Sequence, residues 1–248
     1  MNDWSIILPV KSWTSAKSRM LLDLGFAERV TLVQALAKDT LRTICDMPEV
    51  GKCFVVAPPE VLADLARTVG SRRFRAVEDH TGGEGPDPLN SAFRQGRAAA
   101  VQEGYRQVAL LVADLPGLTA QGLRDFLRSV PRRSPAMVRD SAGTGTTVLA
   151  SRSAEWLRPE FGSGSAERHV GAGAVDVTSQ CDPWLSHDVD TLWDLWATRV
   201  TPGSFLEHWF SRWSALPVGS GESSLRVPTQ FRGSSSDQHA YPPSSGMG

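Results

Sequence analysis

The patterning of the chain predicts an α/β fold, a three-layer α/β/α sandwich around a mostly parallel sheet. Short β-rich apolar runs alternate with longer segments of helical period. One run, residues 107–113 (QVALLVA), is almost continuously apolar, as a central strand buried on both faces requires. In order, residues 5–10 (SIILPV) read as the first strand. Residues 28–45 put Val30, Val33, Ala37, Leu41 and Ile44 on one helical face, and Asp46-Met47-Pro48 ends that helix. A strand at 52–57 precedes a helix at 59–69 that opens on proline, then a short strand at 74–77. The Ala-rich segment 89–103 is helical, the 107–113 strand follows, and 119–130 is another helix. Strands are expected at 136–139, 146–150 and 174–177, with helices at 166–170 and 191–199. There are no internal repeats.

The chain has 248 residues, enough for a sizeable core without disulfides or metals. A net charge of −1 gives no global field toward nucleic acid or an anionic membrane, so a polyanion must be met by a local cluster of cations. Cys45, Cys53 and Cys181 are odd in number and contain no CxxC pair, which suits reduced core thiols. The N-terminus has no basic region ahead of an apolar one, and no apolar run approaches the ~20 residues of a membrane span. A cytoplasmic protein is expected. From residue 217 to 248, 17 of 32 residues are Gly, Pro or Ser, which reads as a disordered tail. The expected boundaries are a folded domain over 1–213 and a tail over 214–248. Trp193, Trp196, Trp209 and Trp213 have helical spacing and are expected in the core or at a dimer contact, so a homodimer is an open expectation.

Doubly wound sheets bind ligands beyond the carboxyl ends of their strands. The loop after the first strand holds Lys11, Lys17 and Arg19, three cations within nine residues, able to neutralise a triphosphate. A solvated basic loop explains the same residues. The loop is neither GxGxxG nor GxxxxGK[ST], and Gly51-Lys52 lacks the upstream glycine, which disfavours dinucleotide binding and the P-loop. Asp114 leaves the most apolar strand, where a charge must be paired, capping or on a metal. Pro116 and Gly117 delay the next helix, which favours the metal. Asp188 and Asp190, two apart in extended chain, point to one side and can share a cation. Asp190 can also cap the helix after it, and His187 is expected as a surface neighbour. Oxygen ligands of this kind suit Mg²⁺. Two loops, 143–147 (GTGTT) and 161–165 (FGSGS), combine glycine with hydroxyls and can cradle a phosphate, Ser165 standing near a helix start. Hairpin turns explain either loop without a ligand.

Together these features make a constellation for metal-assisted nucleotidyl transfer. The order of Leu8-Pro9-Val10-Lys11, Ala16-Lys17-Ser18-Arg19, Asp87-Pro88-Leu89-Asn90, Asp114-Leu115-Pro116, Gly143-Thr144-Gly145-Thr146, Phe161-Gly162 with Ser165, and Asp188-Val189-Asp190-Thr191 closely resembles the phosphoenolpyruvate/2-phospholactate guanylyltransferases. The resemblance spans about residues 5–200. It implies a single-domain nucleotidyltransferase of the nucleotide-diphospho-sugar transferase type, using GTP and Mg²⁺ on the route to coenzyme F-420. It further implies that Asp114 and Asp188 are metal carboxylates with Asp190 as companion. Thr146, Gly162 and Ser165 match the acceptor-binding positions, and Asn90 lies where such folds read the nucleotide. Transfer to 3-phosphoglycerate or a sugar phosphate, and a silent nucleotide-binding protein, are the alternatives.

Overall fold

The computed structural model describes residues 4–15, 24–80 and 87–214. Seven strands form one sheet in the order β3-β2-β1-β4-β6-β5-β7: β1 (Trp4–Pro9), β2 (Val50–Ala57), β3 (Phe74–Glu78), β4 (Val108–Leu111), β5 (Ala136–Arg139), β6 (Thr146–Ser151) and β7 (Val175–Asp176). The helices are α1 (Phe26–Asp46), α2 (Pro59–Val69), α3 (Pro88–Gln102), α4 (Ala120–Ser129), α5 (Ser165–Gly171), α6 (Leu192–Ala197) and α7 (Phe205–Ser214). The expected sequence of elements is present, with no end moved by more than two residues. The largest contractions are in the 107–113 run, where pairing is confined to Val108–Leu111, and at 191–199, where the helix keeps Leu192–Ala197; the 174–177 strand keeps two paired residues. Three single 3-10 turns, at Ala154–Trp156, Thr178–Gln180 and Pro183–Leu185, were not expected.

Strand direction places the site. β1 pairs in parallel with β2 and β4, β2 with β3, and β5 with β7, whereas β6 is antiparallel to both β4 and β5. β6 therefore runs against the other strands, and its first residue, Thr146, lies at the edge where they end. At that edge the chain goes one way from β1 to β2 and β3, then returns to the other side of β1 as β4. This is the switch point at which an open α/β sheet leaves a crevice.

The sheet is covered on both faces. On one face Ile6, Leu8, Val55 and Leu111 pack with Val33, Leu41 and Ile44 of α1, Leu65 of α2 and Phe126 of α4. On the other, Ile7, Phe54, Val56 and Leu110 pack with Phe93 of α3 and Ala166 of α5. A Cβ on Gly96 of α3 would collide with Ile7 and Val56, so glycine there lets the helix lie against β1 and β2. The stripe expected on α1 faces the sheet. A second stripe, Leu32, Ala35 and Leu36, packs outward on Leu192 and Leu195 of α6 and Leu206, Trp209 and Phe210 of α7. Asp39 of α1 secures α7 by accepting the Phe205 and Leu206 N–H groups at 2.9 and 2.8 Å, and its burial raises its pKa. Trp209 is buried and stacks on Trp213, but Trp193 is 75% exposed and does not join the core. The three cysteines are free thiols. Among the described residues no helix is long and apolar enough to cross a membrane. Of the segment read as a tail, 214–248, Ser214 is the last residue of α7 and 215–248 lie outside the described residues.

Candidate active site

The first flank of the crevice is the loop after β1. Val10 N–H continues the ladder by donating to Val56 C=O at 2.9 Å, and Trp13 is buried in the core beneath. Buried Arg29 of α1 holds the loop from below, donating through Nη2 to Thr14 C=O at 2.8 Å. Lys11 is exposed above it. Lys17 and Arg19 fall outside the described residues.

Beside it, β4 ends and Val112 N–H donates to Thr147 C=O at 3.1 Å, while Thr40 donates to Ala113 C=O at 3.2 Å. The chain then passes Asp114, which is half-buried. The helix that follows is capped by Thr119, whose hydroxyl accepts Gly122 N–H, so Asp114 is not a cap. The 188–190 segment docks directly on it, with Val189 N–H donating to Asp114 C=O at 3.2 Å and the Val189 side chain buried. Packing fixes that segment. Trp184 leaves no room for a Cβ on Gly117, and Thr147 Oγ1 donates to Leu185 C=O at 2.6 Å. Asp188 is half-buried and Asp190 exposed.

Two expectations about this segment need correction. Asp190 does not cap α6: Thr191 is the N-cap, in a capping box with Asp194, and Asp190 contributes its own N–H to Asp194 Oδ2 at 3.0 Å. Threonine caps because its side chain reaches the Asp194 N–H, one residue too far for Asp190. Nor is His187 a surface neighbour. It is 7% exposed, its Nε2–H donates to Asp194 C=O at 2.9 Å, and its ring meets Trp184 edge to face. Among the described residues no three His, Cys, Asp or Glu side chains form a metal cage. An octahedral Mg²⁺ does not require one, because it takes one or two carboxylates and completes its shell with water and substrate phosphates. Two loop carboxylates joined through the Val189–Asp114 contact fit that role.

The second flank is built on β6 and α5. Thr146 and Ser165 are both buried, and Ser165 Oγ donates to Thr146 Oγ1 at 3.1 Å. Gly162 stands between them in the chain at φ 115°, a conformation that residues with a side chain rarely adopt, with its carbonyl accepting Ser165 N–H. Arg139 braces the flank, donating to Gly143 C=O, Glu167 and Asp176 at 2.9, 2.8 and 2.6 Å. Asn90, buried in the first turn of α3, accepts Phe161 N–H at 2.7 Å and donates to Phe161 C=O at 3.0 Å and to Asp87 at 2.7 Å. Its amide therefore clamps the residue next to Gly162. A cleft of about 740 Å³ lies alongside, lined in part by Asn90, Arg94, Arg97, Phe161 and Arg168.

Sequence reasoning missed His169. It is 1% exposed, with Nδ1 at 2.9 Å from Thr146 Oγ1 and Nε2 accepting Glu160 N–H at 3.0 Å. Its signal was its position four residues after Ser165, on the same face of one helix. The structure thus joins Asp114 to the 188–190 segment, Thr146 to Ser165, and Asn90 to the neighbour of Gly162.

Comparison with known proteins bears on the fold and the family. Over most of the described fold, a crystal structure from Desulfovibrio desulfuricans described as a nucleotide-diphospho-sugar transferase superposes with a TM-score of 0.64 at 16% identity, covering 86% of this chain and 95% of that one. A nucleotidyl transferase from Methanothermobacter thermautotroptrophicus superposes with a TM-score of 0.52 at 15% identity, covering 86% and 100%. At these identities the likeness shows the fold. Two phosphoenolpyruvate guanylyltransferases are nearer in sequence. That of Nocardia farcinica is 39% identical over 191 residues, 76% of this chain and 82% of its own. That of Streptomyces scabiei is 37% identical over 194 residues, 77% and 88%. Residues 4–196 match the family described as guanylyl transferase CofC like, and the chain belongs to that family.

Proposed function

We propose that the chain transfers the guanylyl group of GTP to the phosphate of phosphoenolpyruvate, releasing pyrophosphate, and that the product serves synthesis of coenzyme F-420. The observation that carries this reading is the switch-point crevice, with carboxylates on its β4 flank and a buried hydroxyl cradle on its β6 flank. The names of the 34–39% identical relatives support phosphoenolpyruvate as acceptor.

The acceptor phosphate has a second pKa near ~6 and is largely dianionic at pH 7, so it attacks without a general base. Its oxygen forms a bond to the α-phosphorus of GTP while the bond to the bridging α–β oxygen breaks, and the electron pair leaves with pyrophosphate. Catalysis is positioning and charge neutralisation. Thr146, Gly162 and Ser165 hold the acceptor, and Lys11, Lys17 and Arg19 offset charge on the triphosphate. Asn90 shapes the nucleotide side by fixing Phe161. Asp114 and Asp188, with Asp190 as companion, hold Mg²⁺. When bound, the ion neutralises developing charge on the phosphoryl oxygens.

The test is pyrophosphate release from purified protein with GTP, Mg²⁺ and phosphoenolpyruvate, 2-phospholactate or 3-phosphoglycerate in turn, with ATP as nucleotide control. Release with GTP and phosphoenolpyruvate is expected. Silence with all three acids would sink the proposal.

A further inference from the structure

The buried cluster on the β6 flank has a proton count that decides what it can bind. Glu160 N–H donates to His169 Nε2, which makes that nitrogen an acceptor. Burial, with the Arg168 cation adding to it, holds the imidazole pKa down at about 4, so the ring is neutral. A neutral ring with an accepting Nε2 carries its proton on Nδ1. Nδ1–H therefore donates to Thr146 Oγ1, and the 3.1 Å contact of Thr146 with Ser165 uses one further proton. Three donors, Nδ1–H and two hydroxyls, thus supply two links. Because Ser165 donates to Thr146, the proton left over is that of the Thr146 hydroxyl, and it has no acceptor among the described residues.

The opposite tautomer would use that proton up. Thr146 would donate to His169, Ser165 to Thr146, and no donor would remain. Buried hydroxyls rarely go without an acceptor. The leftover proton suits an anionic oxygen, where a charge-assisted bond is about twice as strong as a neutral one.

We propose that His169 is a positioning residue: by donating to Thr146 Oγ1, its Nδ1–H leaves the Thr146 hydroxyl its own proton to give to an anionic oxygen of the acceptor acid. This rests on the reading of Thr146 and Ser165 as the acceptor cradle. The His169 ring hydrogen-bonds to Thr146 and to the Glu160 main chain and acts through them, seated edge to face on Phe161.

Two substitutions separate this role from simple packing. In His169→Asn the amide nitrogen replaces Nδ1 and keeps the donor to Thr146, but the acceptor for Glu160 N–H is lost. In His169→Gln the amide oxygen reaches the place of Nε2 and keeps the Glu160 contact, but the donor to Thr146 is lost. With GTP and phosphoenolpyruvate as substrates, His169→Gln should raise the acceptor KM about 10- to 100-fold and leave the GTP KM unchanged. His169→Asn should stay within about 3-fold of the parent on both. A purely structural histidine would move both KM values together, or would tolerate Gln better than Asn, and either result overturns the proposal.

Thr146→Ala, run in parallel, isolates the premise. An unchanged acceptor KM there defeats the cradle reading itself. A raised KM there with a normal His169→Gln defeats only the role of His169. Should either His169 variant fail to fold, ¹⁵N NMR of the parent imidazole decides. The Nδ1–H tautomer is expected, and an Nε2–H signature would overturn the proposal.

Discussion

The two flanks of the crevice are made from different material. On the β4 flank Asp114, Asp188 and Asp190 stand on loops, half-buried or exposed, and the contact joining them runs through main chain, from Val189 N–H to Asp114 C=O. On the β6 flank Thr146, Ser165 and His169 are buried on a strand and a helix and bond side chain to side chain. The difference follows from charge. A carboxylate meant for a cation must stay where water and substrate oxygens can complete the shell, and burying it alone would be costly. Neutral donors bear burial if satisfied, and a dry setting strengthens them without reorganisation during the reaction.

The comparison is broken most severely at Asp114. Asp114→Asn keeps the size of the side chain and removes its charge, so folding should survive while turnover falls ~10³-fold or more, in line with the several kcal/mol a metal-held charge contributes. The check is kcat at saturating Mg²⁺ beside a thermal melt. Retained turnover would remove Asp114 from the mechanism.

The β6 flank answers to pH instead. His169 has a folded pKa of about 4, below the ordinary 6.5, chiefly through burial and secondarily through Arg168. The unfolded chain thus takes up the proton first. Stability from this site is complete above pH 6.5, declines as pH falls from 6.5 to about 4, and is flat below that. The full loss is about 3 kcal/mol. Urea unfolding of the parent and His169→Asn across this range isolates the term as a difference. Parallel curves would mean that the imidazole is not buried neutral.

The sequence made the first flank visible, and of the second it hid only the histidine. Asp114 could be read because a charge after a fully apolar strand needs a reason, and the glycine-hydroxyl loops marked Thr146, Gly162 and Ser165. His169 had only its spacing from Ser165 to mark it, since a histidine following Glu167 and Arg168 on a short helix resembles any surface histidine. The same ambiguity misplaced His187, expected at the surface although its ring packs on Trp184. The helix Pro59–Val69 and the strand Ala136–Arg139 were legible to the residue because proline, glycine and the apolar period bound them sharply. The reversal of β6 was not, because a strand's side-chain alternation is the same in either direction. That reversal brings Thr146 to the edge where Asp114 emerges, so the fold class was readable while the meeting of the two flanks was not.

The smallest expected effect tests whether the loop flank borrows its shape from a helix. Thr191 closes the capping box of α6 and follows Asp190 directly. Thr191→Ala removes the acceptor for Asp194 N–H and the hydroxyl that donates to Asp194 Oδ2 at 2.8 Å. Losing such a cap costs about 1 kcal/mol, a drop in Tm of ~2–4 °C for a domain of this size. Asp190 N–H and Thr191 N–H still reach Asp194 Oδ2, so the carboxylate segment keeps two main-chain anchors. The Mg²⁺ concentration giving half-maximal turnover should therefore stay put while the melt shifts. If that concentration rises several-fold, the 188–190 segment is held by the cap and not by its docking on Asp114, and the two flanks are more alike than their burial suggests.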